Sequence, residues 1–220
     1  MAVTLEDVRR DHEVQVFIAK ANENLAVLGY TEHGTRHASL VAATAANVLL
    51  RLGYARRDAE LAAIAGYLHD IGNGISRLDH GIAAALNARH ILDRLGMPPE
   101  EYAEVMCAIG NHEEEYGQAV SAMAAAVILG DKSDVHRSRV RLIDPDTTDM
   151  HDRVNTATTR SFLNVDGGAR SITLELEIDT TTIQLMHYFE IFLERMVMCR
   201  RAAEFLKCSF GLVINGTRLL

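Results

Sequence analysis

Cysteine is scarce in this chain of 220 residues: Cys107, Cys199 and Cys208 are the whole complement. The number is odd and no two form a C-x-x-C pair, which argues against disulfides and structural zinc and fits a reducing cytoplasm. Positive charge is also short, with 22 Lys and Arg against 30 Asp and Glu and a formal net charge of -8. That balance argues against a nucleic-acid-binding surface and leaves room for a local basic patch over an anion site. No apolar stretch approaches the length of a membrane span, and the opening MAVTLEDVRRDHE has charges but no apolar core of a signal peptide. The expectation is a soluble cytoplasmic protein with neither a membrane nor a nucleic acid as partner. No internal repeat or low-complexity segment is evident. Apolar residues are plentiful at 48%, enough for one large domain or one domain with an appendage.

From Leu5 to about Ser138 apolar residues recur at three- and four-residue spacing, which predicts a mainly α fold of six helices. The expected spans are Leu5 to Leu28, His37 to Leu52, Arg57 to His69, His80 to Leu95, Pro99 to Asn111 and Gln118 to Arg137. Gly53 and Gly96 read as C-terminal stops, and Pro98-Pro99 followed by two acids reads as a helix start. Further on the pattern changes. SITLELEID alternates strictly, with Ile172, Leu174, Leu176 and Ile178 on one face of a strand. SFLNV before it and Asp166-Gly167-Gly168 between them suggest a hairpin, Thr182 to Lys207 a long helix, and FGLVIN a closing strand. The expected organisation is a helical domain over residues 1–140, a linker over 141–158, and a small ββαβ module over 159–220 whose role is packing or dimerisation, so a homodimer is expected.

The chemistry concentrates at element ends. In LAAIAGYLHDIGNGI an apolar helix stops at His69-Asp70, and Gly72, Asn73 and Gly74 break it directly afterwards. Polar groups buried there need partners, and the negative end of a helix favours a cation. Other ligand-capable residues stand at similar boundaries: His37 in GTRHASLVA, His80 in DHGIAAAL, His112 in IGNHEEEYG and Asp131 in ILGDKSD. A mixed imidazole and carboxylate set suits a borderline transition metal, not calcium.

This series resembles the HD-domain superfamily of metal-dependent phosphohydrolases, whose signature is a histidine, a His-Asp doublet and a distant aspartate, here His37, His69-Asp70 and Asp131. The resemblance covers about residues 30–140 and implies an orthogonal helical bundle. The segments around His80 and His112 look like the second-metal motifs of two-metal branches, among them the bacterial diadenosine tetraphosphate hydrolases and, more distantly, the HD-GYP phosphodiesterases. No GYP tripeptide follows His112, which disfavours HD-GYP membership and cyclic di-GMP cleavage. The resemblance implies a first ion on His37, His69, Asp70 and Asp131, with Asp70 bridging to a second on His80 and His112. The ions would be iron or manganese, with zinc, nickel and magnesium as alternatives. A metal-bridging hydroxide would attack a phosphoester or phosphoanhydride of a nucleotide or other small phosphorylated molecule.

Around those ligands, Lys132 and Arg36 stand next to ligands and Arg77 lies in the loop before His80, so all three are candidates to bind substrate phosphate. Glu113 either handles a proton or holds His112 in its tautomer, the second role being preferred. The catalytic candidates are thus Asp70, Lys132 and Glu113. Asp79 can alternatively cap a helix and leave His80 exposed, and His33 is a weak candidate for the site entrance. Arg137, Arg139 and Arg141 read as a solvated basic face. A di-iron oxygenase and a noncatalytic nucleotide or metal sensor remain open beside the hydrolase.

Overall fold

Two consecutive side-chain caps, Thr4 and Asp11, start α1 (Leu5–Arg10) and α2 (His12–Val27) in the computed structural model, which describes residues 2–141 and 149–220. The Asp11 carboxylate accepts from the Val14 backbone N–H at 3.2 Å, so the single helix expected over Leu5 to Leu28 restarts there. In α3 (Thr35–Arg51) His37, Val41, Ala45, Val48 and Leu49 are buried along one face, the period that the sequence shows. The helix α4 (Arg56–Leu68) is buried on every side from Leu61 to Leu68. Next come α5 (His80–Arg94), α6 (Pro99–Gly110) and α7 (Ala122–Lys132). Every residue of α7 from Met123 to Lys132 is buried, and the helix packs against α3, α4 and α6. It is shorter than the expected Gln118 to Arg137. Ser121 caps its start by accepting from the Ala124 N–H at 3.1 Å, and Ser133 ends it by donating to the Gly130 carbonyl at 2.9 Å.

One glycine fixes the geometry below the His69-Asp70 doublet. There the chain makes a 3₁₀ turn, Ile71–Gly74, pressed so closely against α5 that a Cβ on Gly72 would fall 2.0 Å from the His80 carbonyl oxygen. A residue with a side chain cannot occupy that position without pushing the two segments apart. Gly72 therefore lets the end of α4 and the start of α5 meet.

Helix α8 (Met150–Ala157) lies within the span expected to be a linker, of which residues 142–148 fall outside the described residues. Its polar composition hides it from a reading based on apolar period. The strands β1 (Thr158–Asp166) and β2 (Ser171–Ile178) form the expected antiparallel hairpin, α9 (Leu185–Phe205) follows, and β3 (Ser209–Ile214) pairs parallel to β2. A short β4 (Thr217–Arg218) extends the sheet to the order β1-β2-β3-β4. Ile172, Leu174, Leu176 and Ile178 are buried, as their alternation requires. Helix α9 packs on α7 and β1 touches α3, so the apolar core runs without a break from the bundle into the sheet. The architecture is mainly α with a small C-terminal sheet. Among the described residues no helix is long and apolar enough to cross a membrane.

Candidate metal centre

The six residues singled out as ligands converge from five segments of the chain. His37 comes from the first turn of α3, His69 and Asp70 from the end of α4, and His80 from the start of α5. His112 follows the end of α6, and Asp131 lies near the end of α7. All six side chains are buried or nearly so.

A repeated device aims the imidazoles. His69, His80 and His112 each turn Nδ1 to the backbone carbonyl three residues earlier: Gly66 at 2.8 Å, Arg77 at 3.1 Å and Ile109 at 2.6 Å. Gly66 and Ile109 supply carbonyls from the last turns of α4 and α6, and the Ile109 carbonyl also accepts the Asn111 N–H. His37 instead meets the Asp134 carboxylate, Nδ1 to Oδ2 at 2.7 Å. Because an acceptor faces every Nδ1, the proton of each neutral ring belongs there, and each Nε2 is left facing inward to take a metal ion or a second proton.

Those Nε2 atoms crowd together. His37 Nε2 is 3.3 Å from His69 Nε2, and His80 Nε2 is 3.2 Å from His112 Nε2. Two lone pairs at such distances repel unless a proton or a metal ion lies between or beside them. Asp70 divides its carboxylate between the two pairs. Oδ2 faces His69 Nε2 at 3.2 Å and His37 Nε2 at 3.5 Å, while Oδ1 faces His80 Nε2 at 3.5 Å and His112 Nε2 at 3.8 Å. Oδ2 is buried and makes no hydrogen bond, a costly state for a carboxylate oxygen unless a cation meets it. Asp131 Oδ1 completes the first cluster, 3.3 Å from His37 Nε2 and 3.7 Å from His69 Nε2. Nitrogen and carboxylate donors in this arrangement fit borderline divalent transition ions.

The electrostatics of the ion-free chain agree. Burial opposes a charge on His69, but Asp70 and Asp131 outweigh it and push its pKa up to about 10. Burial likewise opposes ionised Asp70 and Asp131, yet the surrounding imidazoles, and Lys132 beside Asp131, hold both carboxyls well below the usual range. His112 is driven well down, first by burial and then by the cationic His69. The cluster thus holds two carboxylates and a proton where a cation is wanted.

Residues 35–146, just over half of the chain, match the family model of the HD domain. The chain belongs to the HD-domain family. The curated proteins include a relative that is 28% identical over 160 residues, an uncharacterized protein of Methanocaldococcus jannaschii. That match covers 62% of this chain and 61% of the relative. No solved structure matches. The HD-domain match ends before α8, so α8, α9 and the sheet lie beyond it.

The remaining candidates divide by where their side chains go. The HD-domain cluster opens into a cavity of about 220 Å³, lined by His33, Arg77, Lys132 and Arg139 together with Asp70, His80, His112 and Asp131. Arg77 lies over the His80 imidazole, 3.3 Å from both ring nitrogens, and 5.0 Å from the Tyr30 ring centroid. Lys132 is buried with its Nζ 2.7 Å from Asp131 Oδ2 and 3.2 Å from Glu114 Oε1. Arg36 does not reach this cavity. Its guanidinium is held by Glu32 at 2.9 Å and Asp134 at 2.7 Å, and it lines a separate groove of about 550 Å³ between α3 and β1. Glu113 serves His80, not His112: Oε2 is 3.0 Å from His80 Nδ1, while Oε1 accepts from the Gly81 N–H and the Tyr116 hydroxyl. Asp79 makes no side-chain cap on α5 and His80 is buried, so the capping alternative does not describe this helix.

Several supporting residues stand out only weakly in the sequence or not at all. Asn73 donates to Asp70 Oδ1 at 3.0 Å and to its carbonyl at 3.1 Å. Asp134 holds His37, Arg36 and Arg139 together; burial raises its carboxyl, but these partners draw it far below the usual range. Arg139 is buried, not solvated, and donates to His33 Nε2 at 2.9 Å and the Asp134 carbonyl at 3.0 Å. The spacing LGDKSD, with carboxylates three residues apart at a helix end, was the cue that could have found Asp134.

Proposed function

We propose that this chain is a metal-dependent phosphohydrolase that uses two divalent ions to hydrolyse a nucleotide or another small phosphorylated molecule. The observation that carries the reading is the division of Asp70, one oxygen to each histidine pair, at the floor of a cavity that also holds Arg77. Two bound ions would polarise a phosphoryl oxygen and acidify a water between them. The rest is the work of the chain. Asp70 and Asp131 supply negative charge, and the four histidines supply neutral nitrogen donors fixed by their Nδ1 partners. Arg77 is the cavity cation for the phosphate, because among the described residues it has no carboxylate within 4.0 Å, whereas Lys132 is already paired with Asp131 and Glu114. Lys132 therefore orients Asp131, and Glu113 orients His80. The six-ligand pattern without GYP favours the branch resembling diadenosine tetraphosphate hydrolases over the HD-GYP branch. We assign residues 159–220 to a packing or dimerisation module and place the protein in the cytoplasm.

Elemental analysis followed by an anaerobic hydrolysis screen with manganese, read as inorganic phosphate or as the phosphorylated and alcohol products, tests the reading. The expected result is two ions per chain and turnover of at least one phosphomonoester, phosphodiester or phosphoanhydride. In a parallel aerobic run, oxygen consumption on substrate addition without hydrolysis would replace the hydrolase by the oxygenase. Nucleotide binding without turnover would favour the sensor.

A further inference from the structure

Helix α9, outside the matched HD-domain residues, carries Arg195 and Glu194 to the wall of the metal cavity. Arg195 Nε lies 2.8 Å from Glu114 Oε1, the same oxygen that meets Lys132 Nζ. A chain of contacts therefore runs from Asp131 through Lys132 and Glu114 to Arg195. The Arg195 guanidinium carbon stands 4.8 Å from the Phe192 ring centroid, which fixes its plane against α9. Among the described residues Glu114 is its only carboxylate partner, and neither terminal nitrogen donates a hydrogen bond within the chain. Arg195 lines the cavity that holds the ligand cluster, and Glu114 occupies its Nε. The planar fork of an arginine suits a phosphate or carboxylate there.

We propose that Arg195 is a specificity-determining residue that binds a second anionic group of the substrate, beyond the phosphate that meets the metal cluster. The inference rests on the phosphohydrolase reading. It gives the C-terminal module a part in the site: α9 closes one wall and selects substrates with two anionic groups over simple phosphomonoesters. Apart from histidine rings, no aromatic side chain lines the cavity, and its charged side chains are of both signs, with Glu114, Glu115 and Glu194 on the lining beside Arg195; the wall offers no platform for stacking a base.

Calorimetric binding to the two-ion protein tests this, with methylphosphonate as the single-group probe and methylene- and propylene-bisphosphonate as the two-group probes. The wild type should prefer at least one bisphosphonate about tenfold over methylphosphonate, the size of one charge-assisted contact. Arg195→Gln should abolish that preference, with metal stoichiometry and circular dichroism as in the wild type. Glu114→Gln should keep or increase it, because Arg195 then loses its competing carboxylate. An unchanged preference in Arg195→Gln overturns the proposal. So does the same loss in Glu114→Gln, which would mean that Arg195 acts only by holding Glu114. If methylphosphonate does not bind the wild type loaded with two ions, the phosphohydrolase reading itself fails and takes this inference with it.

Discussion

The two ends of Asp70 serve unequal halves of the candidate centre. On the Oδ2 side stand His37, His69 and Asp131, with His37 braced by a buried carboxylate, Asp134, that is itself held by Arg36 and Arg139. On the Oδ1 side stand His80 and His112, beneath Arg77 and next to the open cavity, with Glu113 as the brace and Asn73 donating to the same Asp70 oxygen. Four protein donors meet in the first half and three in the second. Under the two-ion reading the first half would retain its ion, and the second would leave coordination positions for water and substrate.

Removing the shared residue should have the largest effect. Asp70→Ala takes one donor from each half and leaves two crowded histidine pairs without a carboxylate between them. Under the two-ion reading, metal content falls from two ions per chain to none, and affinity drops by more than the 10–100-fold that an outer-shell change costs. Circular dichroism should still show the helices. An Asp70→Ala protein that retains two ions would sink the bridge.

Breaking one brace at a time tests the asymmetry itself. Asp134→Ala strands Arg139, leaves Arg36 with Glu32 alone and frees His37 Nδ1, so it should lower stability by about 3 kcal/mol and metal affinity by about 10–100-fold in the first half. Asp134→Asn keeps the shape and loses the charge, so it should show the smaller loss of the two. Among the candidate ligands Glu113→Gln reaches His80 alone and should weaken the second ion by about tenfold while leaving the first in place. Metal titration followed calorimetrically would resolve the two steps. If Glu113→Gln and Asp134→Asn weaken the same step, the two halves are not independent.

Why the candidate ligands are legible in the sequence and their braces are not follows from helix geometry. Each ligand stands at a helix end in a distinctive local string, and the string survives without knowledge of the fold. The braces depend on direction. Arg36 precedes His37 by one residue in α3, and neighbours on a helix point about 100° apart; with His37 facing inward, Arg36 goes to Glu32 and Asp134. Glu113 follows His112 beyond the end of α6, and the turn delivers it across the cavity to His80. Arg139 belongs to a basic run that reads as surface, and only the fold reveals Asp134 and His33 beneath it. The helices of the bundle and the alternating strand β2 announced themselves by period, whereas α8 is too polar to do so.

The smallest expected effect is a proton count, and it sharpens the contrast between the halves. Without ions His69 keeps a proton up to about pH 10, raised by Asp70 and Asp131 against the penalty of burial. An unfolded histidine loses its proton near 6.5. The raised value thus stabilises the ion-free fold fully below about pH 6.5, and the contribution declines as pH rises from there to about 10, where it is gone. An ion entering the first half takes the place of that proton, so binding at pH 8 should release about one proton per chain. His112, held neutral by its environment, has none to give. Calorimetry of the first binding step in two buffers of different ionisation enthalpy measures the release directly. His69→Gln should abolish it, and a release that belonged instead to the second binding step would reverse the assignment of the two halves.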